Sequence, residues 1–284
     1  MSIKSKIGRQ VNRVTRKLAR IGHPVTRNDR HLAELEGKYE GQKAVIIGTG
    51  PSLRINDLER LHGWQTFACN KIYLAFDQTD WRPDFYSICD IKIAEHCNEI
   101  DFNQYFQKTT VINAIGTKIS LRTDTPVLHY RYSSDFSIGD WNHGEEIKFP
   151  RSFGSGIFGG YSVMVEQLQM AYLMGFTKVA VIGADLSYFG GKKTGETSPS
   201  GDLVSYDGNE VERNYFHKNY YRPGDVTTVP QVEKMRIAWE YCRILYETSG
   251  RTLVNASRQS ALERVSRVPF DDLFPPESAD SALK

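Results

Sequence analysis

The chain has 284 residues, of which 40% are hydrophobic and 25% charged, with 36 Lys and Arg against 34 Asp and Glu. This balance is typical of a folded globular protein and excludes a fibre, a disulfide-stapled mini-domain and an intrinsically disordered chain. A net charge of +2 provides no global field for indiscriminate nucleic-acid binding. Nucleic acid is therefore not among the expected partners.

The first 30 residues differ from the rest because they carry nine basic side chains and one acidic side chain, Asp29. Apolar residues recur there at helical spacing, namely Ile3, Ile7, Val11, Val14, Leu18 and Ile21. The pattern predicts a basic amphipathic helix that ends at Gly22 and Pro24. Such a helix, at residues 3–21, can lie on an anionic membrane surface. The alternatives are a helix docked on the protein's own body and a cleaved organelle transit peptide.

Short apolar runs and helical segments alternate through the rest of the chain. The runs predict buried strands at residues 43–48, 66–69, 84–89, 111–114, 127–130, 178–183 and 252–255. Helices are predicted after the glycine turn at residues 48–53, after Gly154-Ser155-Gly156 as far as Gly175, and at residues 229–249. The first of these would carry Leu53, Leu58 and Leu61 inward. Residues 188–221, rich in Gly, Lys, Ser, Asn and Tyr, predict a lid or a disordered loop, and residues 275–284 a flexible tail.

This alternation predicts the α/β class: a single Rossmann-like, mostly parallel sheet with helices on both faces over residues 43–274. The sequence contains no apolar run long enough to span a bilayer, and its first residues lack the apolar core of a secretory signal. Its four cysteines show no metal-binding spacing. We therefore expect a cytoplasmic, reducing location and no structural zinc.

Glycines or polar residues follow four of the predicted strands, at Gly48, Asn70, Asp90 and Gly183. Ligands bind at the carboxyl edge of a parallel sheet, so these residues predict a binding site. A glycine turn before a helix lets a phosphate approach backbone N–H groups, which favours a nucleotide. The sequence has no HExxH, GxSxG or DxD motif, which argues against a zinc hydrolase, an α/β-hydrolase and a DxD-type glycosyltransferase.

The long loop at residues 188–221 supplies candidate catalytic side chains. His217 is a candidate general base, since imidazole is the side chain most often used to accept a proton in catalysis. The Tyr188 and Tyr206 hydroxyls are candidate donors to a phosphate. For these residues a surface or packing role is the alternative.

Five short blocks, taken in order, resemble the bacterial CST-type sialyltransferases and the related MptE-like family, whose named member is a 6-hydroxymethylpterin diphosphokinase. The blocks are residues 47–53 (IGTGPSL), residues 69–73 (CNKIY), Ser155-Gly156, residues 182–185 (IGAD) and His217. The likeness covers about residues 43–255. It implies that a CMP donor is held by Gly48, Thr49, Gly50, Pro51, Ser52, Asn70, Ser155, Gly156, Gly183 and Asp185. It also implies that His217 is the base and that Tyr188, Tyr206 or Tyr215 binds the leaving phosphate.

Two positions depart from the sialyltransferase pattern. Thr49 stands where that family has Asn, and Asp90 stands where it has a strand-end Asn. The negative charge of Asp90 would repel a phosphate unless it faces the ribose or the acceptor. Asp90 suits the MptE-like pattern better, and there it could hold a metal.

The resemblance implies a glycosyltransferase that moves an acidic sugar, such as sialic acid or Kdo, from a CMP-activated donor to a glycolipid or surface-polysaccharide acceptor. No metal or other cofactor is expected for this reaction. One alternative is an ATP- and Mg²⁺-dependent pyrophosphokinase that uses Asp90 and Asp185 as metal ligands. Another is a non-catalytic, membrane-recruited module of polysaccharide assembly. If residues 3–21 bind a membrane, the expected place is the inner face of the cytoplasmic membrane. The sequence leaves the oligomeric state open.

Overall fold

The computed structural model describes residues 23–97, 100–114, 127–198 and 201–276, together with a few positions between 14 and 21. Its centre is a parallel sheet of seven strands. These strands are β1 (Lys43–Ile47), β2 (Gln65–Cys69), β3 (Phe85–Ser87), β4 (Thr110–Ala114), β5 (Val127–Tyr130), β8 (Lys178–Ile182) and β12 (Thr252–Asn255). The predicted Rossmann-like α/β class is confirmed.

The strand order in the sheet is β12-β8-β1-β2-β3-β4-β5. From β1 the chain runs outward through β2 to β5, and it then returns to place β8 on the opposite side of β1. The strand order therefore reverses between β1 and β8. In open α/β sheets, the crevice at the carboxyl ends of such a strand pair is the usual ligand site.

Each central strand is buried on both faces, which explains why the strand sequences are continuous apolar runs rather than alternating ones. In β1, Ala44 and Ile46 pack into one core cluster, and Val45 and Ile47 pack into the other. The first cluster contains α1 (Arg27–Ala33), α5 (Val163–Leu173) and α7 (Val232–Thr248). The second contains α2 (Ile55–Leu58), α3 (Ile91–Cys97), α4 (Phe102–Tyr105), α6 (Gly208–Asn214) and α8 (Phe270–Leu273).

Two predicted helix starts are wrong. The turn after β1 leads only to the four-residue helix α2, although Leu53, Leu58 and Leu61 are buried as expected. Gly154-Ser155-Gly156 does not begin the long helix, because a further strand, β7 (Ile157–Gly159), intervenes and pairs with β6 (Tyr132–Ser137). The helix α5 therefore begins only at Val163. Gly175 follows its end, and that part of the prediction is confirmed.

The described residues of the segment 188–221, where the sequence predicts a lid or a disordered loop, include regular secondary structure. They contain β9 (Lys192–Ser198), β10 (Gly201–Ser205) and α6, and with β11 (Thr227–Thr228) the two strands make an antiparallel sheet. Nearly all of β9 is exposed. The strand therefore has no apolar periodicity, and this is why its sequence was interpreted as a loop.

The two ends of the chain lie largely outside the described residues. Most of the predicted helix at residues 3–21 falls there; of its apolar positions, Val14, Leu18 and Ile21 are described, with Val14 and Ile21 56% and 69% exposed and Leu18 half-buried. Residues 277–284 of the predicted tail are also outside the description. In the part of the chain that the structure covers, no helix is long and apolar enough to cross a membrane. None of the four cysteines, all of them described, forms a disulfide.

Candidate functional site

The turns that follow β1 and β8 pack directly against each other at the carboxyl edge of the sheet. The Gly48 N–H donates to the Ile182 carbonyl at 2.8 Å, and the Gly50 N–H donates to the Gly183 carbonyl at 3.0 Å. Gly183 has a φ of +63°, and a Cβ on this residue would lie 2.6 Å from the Gly48 carbonyl oxygen. The glycines predicted to admit a phosphate thus also allow the two turns to touch.

Asp185 connects the same two turns through its carboxylate. Its Oδ2 accepts hydrogen bonds from the Ser52 N–H at 3.2 Å and from the Ser52 hydroxyl at 2.8 Å. Burial raises the pKa of Asp185, and the bonds from Ser52 oppose that rise. Asp185 therefore positions the turn that contains Pro51 and Ser52, and its side chain also lines the cleft described next.

The cleft beside these turns has a narrow and a wide part. The narrow crevice, about 90 Å³, lies between the β1 and β8 turns and includes Gly48, Thr49, Gly50, Asn70, Gly183 and Asp185. The wide chamber, about 520 Å³, extends from it past Asp90 toward β6 and β11. The two parts are continuous, because they share the residues Thr49, Asn70, Ser162, Val163, Tyr188, Tyr215 and Met235.

Asn70 stands at the junction of the crevice and the chamber in a strained conformation. It follows β2 directly and has a φ of +51°, in the left-handed region that Asn tolerates better than most residues. Its side-chain Oδ1 is buried and has no hydrogen-bond partner in the described structure. A buried amide oxygen without a donor is costly. Asn70 is therefore positioned to accept a hydrogen bond from a ligand.

Backbone strain is concentrated around this cleft. Among the described residues, the non-glycine positions with positive φ are Asn70, Tyr161 and Leu186. Leu186 lines the crevice and Tyr161 lines the chamber. Residues held in such conformations cluster at active sites and ligand clamps, so the strain points to the same place as the fold.

A cluster of tyrosines forms one wall of the cleft. Tyr215 stacks on Tyr220 with ring centroids 4.1 Å apart, and Tyr221 meets Tyr215 edge-on. The Thr49 hydroxyl lies 3.0 Å from the Tyr220 hydroxyl, and the buried Lys71 Nζ donates to the Tyr220 carbonyl at 2.6 Å. These contacts attach the segment around Tyr220 to the ends of β1 and β2.

The candidate phosphate-binding tyrosines occupy different places. Tyr188 and Tyr215 line both parts of the cleft. Tyr206 lines neither part; it is 9% exposed and stacks on Tyr221 with centroids 6.1 Å apart. Tyr206 therefore packs behind the tyrosines that line the cleft. Its position does not support the expected contact with a ligand phosphate.

His217 lies outside the cleft. It lines a separate, shallow depression with Ile55 and Phe216, and its Nδ1 accepts a hydrogen bond from the Asn219 N–H at 3.2 Å. The adjoining Phe216 N–H donates a hydrogen bond to the Thr49 carbonyl at 3.1 Å, and this bond holds the segment in place. Tyr215 lines both this depression and the cleft, so the structure brings His217 beside one predicted tyrosine but not into the cleft that contains the predicted donor-binding residues.

Ser155 and Gly156 are also remote from the cleft. Ser155 exchanges hydrogen bonds with Ser152 in a short 3-10 turn, and a Cβ on Gly156 would collide with the backbone of Ser133. The prediction that they lie near the donor depended on their opening α5. The residues just before α5 that line the cleft are instead Gly159, Gly160, Tyr161 and Ser162.

Two carboxylates line the wide chamber. Asp90 was predicted at the end of β3, and its Oδ1 accepts from the backbone N–H groups of Lys92 and Ile93 at the start of α3. Glu166, on α5, was not predicted; it is 4% exposed. The sequence shows Glu166 only as an acidic residue in a helix segment that is otherwise buried. A search for apolar positions does not identify such a residue.

Neither part of the cleft is lined by Lys, Arg or His in the described portion of the chain. Within the same portion, no three His, Cys, Asp or Glu side chains are grouped so that they could hold a metal ion. The polar part of the described lining therefore consists of hydroxyls, amides and backbone groups with three acidic side chains, Asp90, Glu166 and Asp185, and apolar residues such as Met164, Met235 and Trp239 complete it.

The fold and this cleft define an α/β protein of the Rossmann-like class with its candidate site at the reversal of strand order. The family model of 6-hydroxymethylpterin diphosphokinase MptE-like proteins matches residues 22–191. The chain belongs to the MptE-like family, and that part of the resemblance is confirmed. The CST-type sialyltransferase likeness stays a prediction.

A search of curated proteins finds no match to this chain. Among solved structures, the chain is similar to the MAf glycosyltransferase from Magnetospirillum magneticum AMB-1, with 12% identity and a TM-score of 0.48. That comparison covers 83% of this chain and 35% of the other, so this chain spans about a third of that protein. A likeness at this distance says nothing about activity.

Proposed function

We propose that this protein is a glycosyltransferase that moves an acidic sugar from a CMP-activated donor, bound in the crevice, to a glycolipid or polysaccharide hydroxyl. The observation that carries the proposal is Asn70, held at φ +51° with a buried, unpartnered Oδ1 at the carboxyl edge of the sheet. Ribose hydroxyls and the cytosine amino group are donors suited to such an oxygen. The crevice that Asn70 borders is also the place where this fold binds nucleotides.

The charge of the cleft favours a CMP-sugar over a nucleoside triphosphate. A CMP-linked acidic sugar has one charge on its phosphodiester and one on its sugar carboxylate, whereas a triphosphate concentrates its several charges on adjacent phosphates and is normally met by Lys, Arg or Mg²⁺. The described lining has no basic side chain. Hydroxyls of Tyr188 and Tyr215 and the N–H groups of the turns are suited to a single phosphodiester, and they would stabilise the charge that develops on the departing CMP.

A pyrophosphokinase is the second candidate, because the family model that matches is described by that activity. It would need Mg²⁺ beside the phosphates. Asp185 and Asp90 are the proposed ligands, but Asp185 Oδ2 already accepts two bonds from Ser52, and Asp90 Oδ1 two from the start of α3. The cleft residues therefore fit this reaction less well than a sugar transfer.

The proposed acceptor also gives the basic segment a role. A lipid-linked acceptor lies at a membrane face, and residues 3–21 would hold the enzyme there through their positive charge and apolar face. The protein would then be a peripheral protein on the inner face of the cytoplasmic membrane.

Thermal unfolding with CMP, CDP, UDP, GDP and ATP, each with and without Mg²⁺, tests the proposal. A ligand at a hundred times its dissociation constant stabilises the folded state by about 2.7 kcal/mol. We expect a metal-independent rise in Tm with CMP. A rise only with ATP and Mg²⁺ would replace the proposal by the pyrophosphokinase, and no response to any nucleotide would favour the non-catalytic module.

Asn70→Gly makes the test specific to the crevice. Glycine retains the left-handed conformation and removes only the side-chain amide, so we expect the CMP response to disappear while the unliganded protein stays folded. Asn219→Gly is the control, because Asn219 is exposed and lies beside His217, outside the cleft. An unchanged CMP response in Asn70→Gly would show that the amide does not bind the donor.

A further inference from the structure

Glu166 occupies an unusual place for an acidic side chain. It is 4% exposed, yet it lines the wide chamber. The Tyr130 hydroxyl donates to its Oε2, and the Tyr132 hydroxyl donates to its Oε1 at 2.9 Å. The carboxylate is thus aligned by two hydroxyls and by the Cys89 thiol, and one of its four acceptor sites remains for a further hydrogen bond.

The rest of the chamber has the character of a sugar-binding site. Aromatic rings are numerous there, namely Tyr132, Tyr161, Tyr188, Tyr215, Tyr220 and Tyr221. Tyr132 is 45% exposed and so offers a ring face and a polar group to a ligand. Thr228 Oγ1, in the opposite wall, is buried and has no hydrogen-bond partner in the described structure. A polyhydroxylated ligand would satisfy these groups.

We propose that the wide chamber is the acceptor subsite, that it takes an uncharged sugar, and that Glu166 is the base that removes the proton from the acceptor hydroxyl. This inference rests on the proposed function, since it assigns the second substrate of the same cleft. It replaces His217 in that role, because His217 lines a separate depression.

The reaction step balances without a further reactant. The acceptor oxygen attacks the anomeric carbon of the donor and forms the new glycosidic bond, while its proton passes to the Glu166 carboxylate. The bond between the anomeric carbon and the phosphate oxygen breaks, and CMP leaves with that electron pair. Glu166 then returns its proton to solvent.

The choice of Glu166 follows from the groups that face the chamber. The described lining contains no His or Lys, so Asp90 and Glu166 are its candidate bases. Asp90 Oδ1 is already bonded to two backbone N–H groups of α3. Burial raises the pKa of Glu166, and bonds from Cys89, Tyr130 and Tyr132, the titratable groups that face it, partly oppose the rise. A raised pKa makes a carboxylate a better proton acceptor near neutral pH.

The selectivity for an uncharged acceptor has an electrostatic cause. An anionic sugar in the chamber would lie near Asp90 and Glu166, with no basic side chain in the described lining to offset the repulsion. We therefore expect methyl β-D-galactoside to be used at least ten-fold more efficiently than methyl β-D-glucuronide.

The decisive experiment compares wild type, Glu166→Gln and Glu36→Gln with CMP-N-acetylneuraminate and CMP-Kdo as donors and methyl β-D-galactoside as acceptor. Glu36 is a matched control: burial raises its pKa too, but its carboxylate binds the Phe153 N–H away from the cleft. We expect Glu166→Gln to lower kcat about a hundred-fold, with CMP affinity within two-fold of wild type. Glu36→Gln should retain wild-type kcat.

Tyr132→Phe separates a proton-accepting role from a structural one. Removing this hydroxyl takes away a bond that stabilises the carboxylate, so the acidic limb of the rate–pH profile should move to higher pH. A kcat for Glu166→Gln within three-fold of wild type, or a glucuronide used as well as the galactoside, would overturn the inference. Absence of CMP binding by the wild type would instead refute the proposed function.

Discussion

Substituting alanine for Gly183 tests whether the contact between the β1 and β8 turns is as tight as the structure indicates. Alanine at this position lowers the free energy of unfolding for two separate reasons. The first is the left-handed backbone, with a φ of +63°, and the second is a Cβ only 2.6 Å from the Gly48 carbonyl oxygen. That distance is 0.4 Å short of the 3.0 Å below which real Cβ contacts essentially do not occur. Because the opposing atom belongs to the backbone, a side-chain rotation cannot relieve the clash.

Gly250 allows the two penalties to be separated. Its φ is +68°, nearly that of Gly183, but a Cβ there would have nothing within 4 Å. Alanine at Gly250 should therefore lower the free energy of unfolding by the conformational cost alone, about 1 to 2 kcal/mol. At Gly183 the overpacking cost adds about 2 kcal/mol, the middle of the usual range, so we expect a total loss of about 3 to 4 kcal/mol.

Differential scanning calorimetry of the two variants and wild type measures this difference. For a chain of this size, 1 kcal/mol corresponds to about 2 to 4 °C in Tm. Gly183→Ala should therefore melt about 4 to 8 °C below Gly250→Ala. Equal Tm values for the two variants would refute the reasoning, because they would show that the turns separate without cost.

Three further predictions concern other contacts. In a double-mutant cycle of Thr49→Val and Tyr220→Phe, urea unfolding should show a coupling of about 1 kcal/mol from their buried hydroxyl pair; additive effects would contradict it. Burial raises the pKa of Asp29, but bonds from Thr26 and Arg131 outweigh burial and lower it overall. The wild type should therefore lose stability as pH falls below about 4, and Asp29→Asn should flatten that loss in urea unfolding. Finally, sedimentation should show that the protein binds anionic but not neutral vesicles. Replacing three basic residues of the segment 3–21 by Gln should lower the vesicle affinity roughly a hundred-fold, because each contributes about 1 kcal/mol.

The parallel sheet could be predicted because its evidence is local. The strand β1 was expected at residues 43–48 and is found at Lys43–Ile47, and β8 was expected at residues 178–183 and is found at Lys178–Ile182. Their continuous apolar runs reflect burial on both faces. The site edge was predictable for the same reason, since Gly183, Gly48 and Asn70 follow the three neighbouring strands β8, β1 and β2 of a parallel sheet.

The errors arose where local pattern and tertiary contact disagree. The strand β9 is exposed along nearly its whole length, so its sequence has no apolar alternation and does not predict a strand. Ser155-Gly156 has the composition of a helix-opening turn, but pairing of β7 with β6 delays the helix to Val163. The role of His217 stays a prediction from its chemistry, because its position depends on how the chain around Tyr220 packs, which no local pattern contains.

The sequence by itself determined the class of fold and the strand edge that carries the candidate site, because both follow from apolar runs and from the residues that end them. Only the tertiary structure decided which side chains share the cleft. Thr49 meets Tyr220 across 171 residues, and Glu166 meets Tyr132 across 34. Such pairings depend on how the chain folds back on itself, and the local pattern of residues contains no record of them.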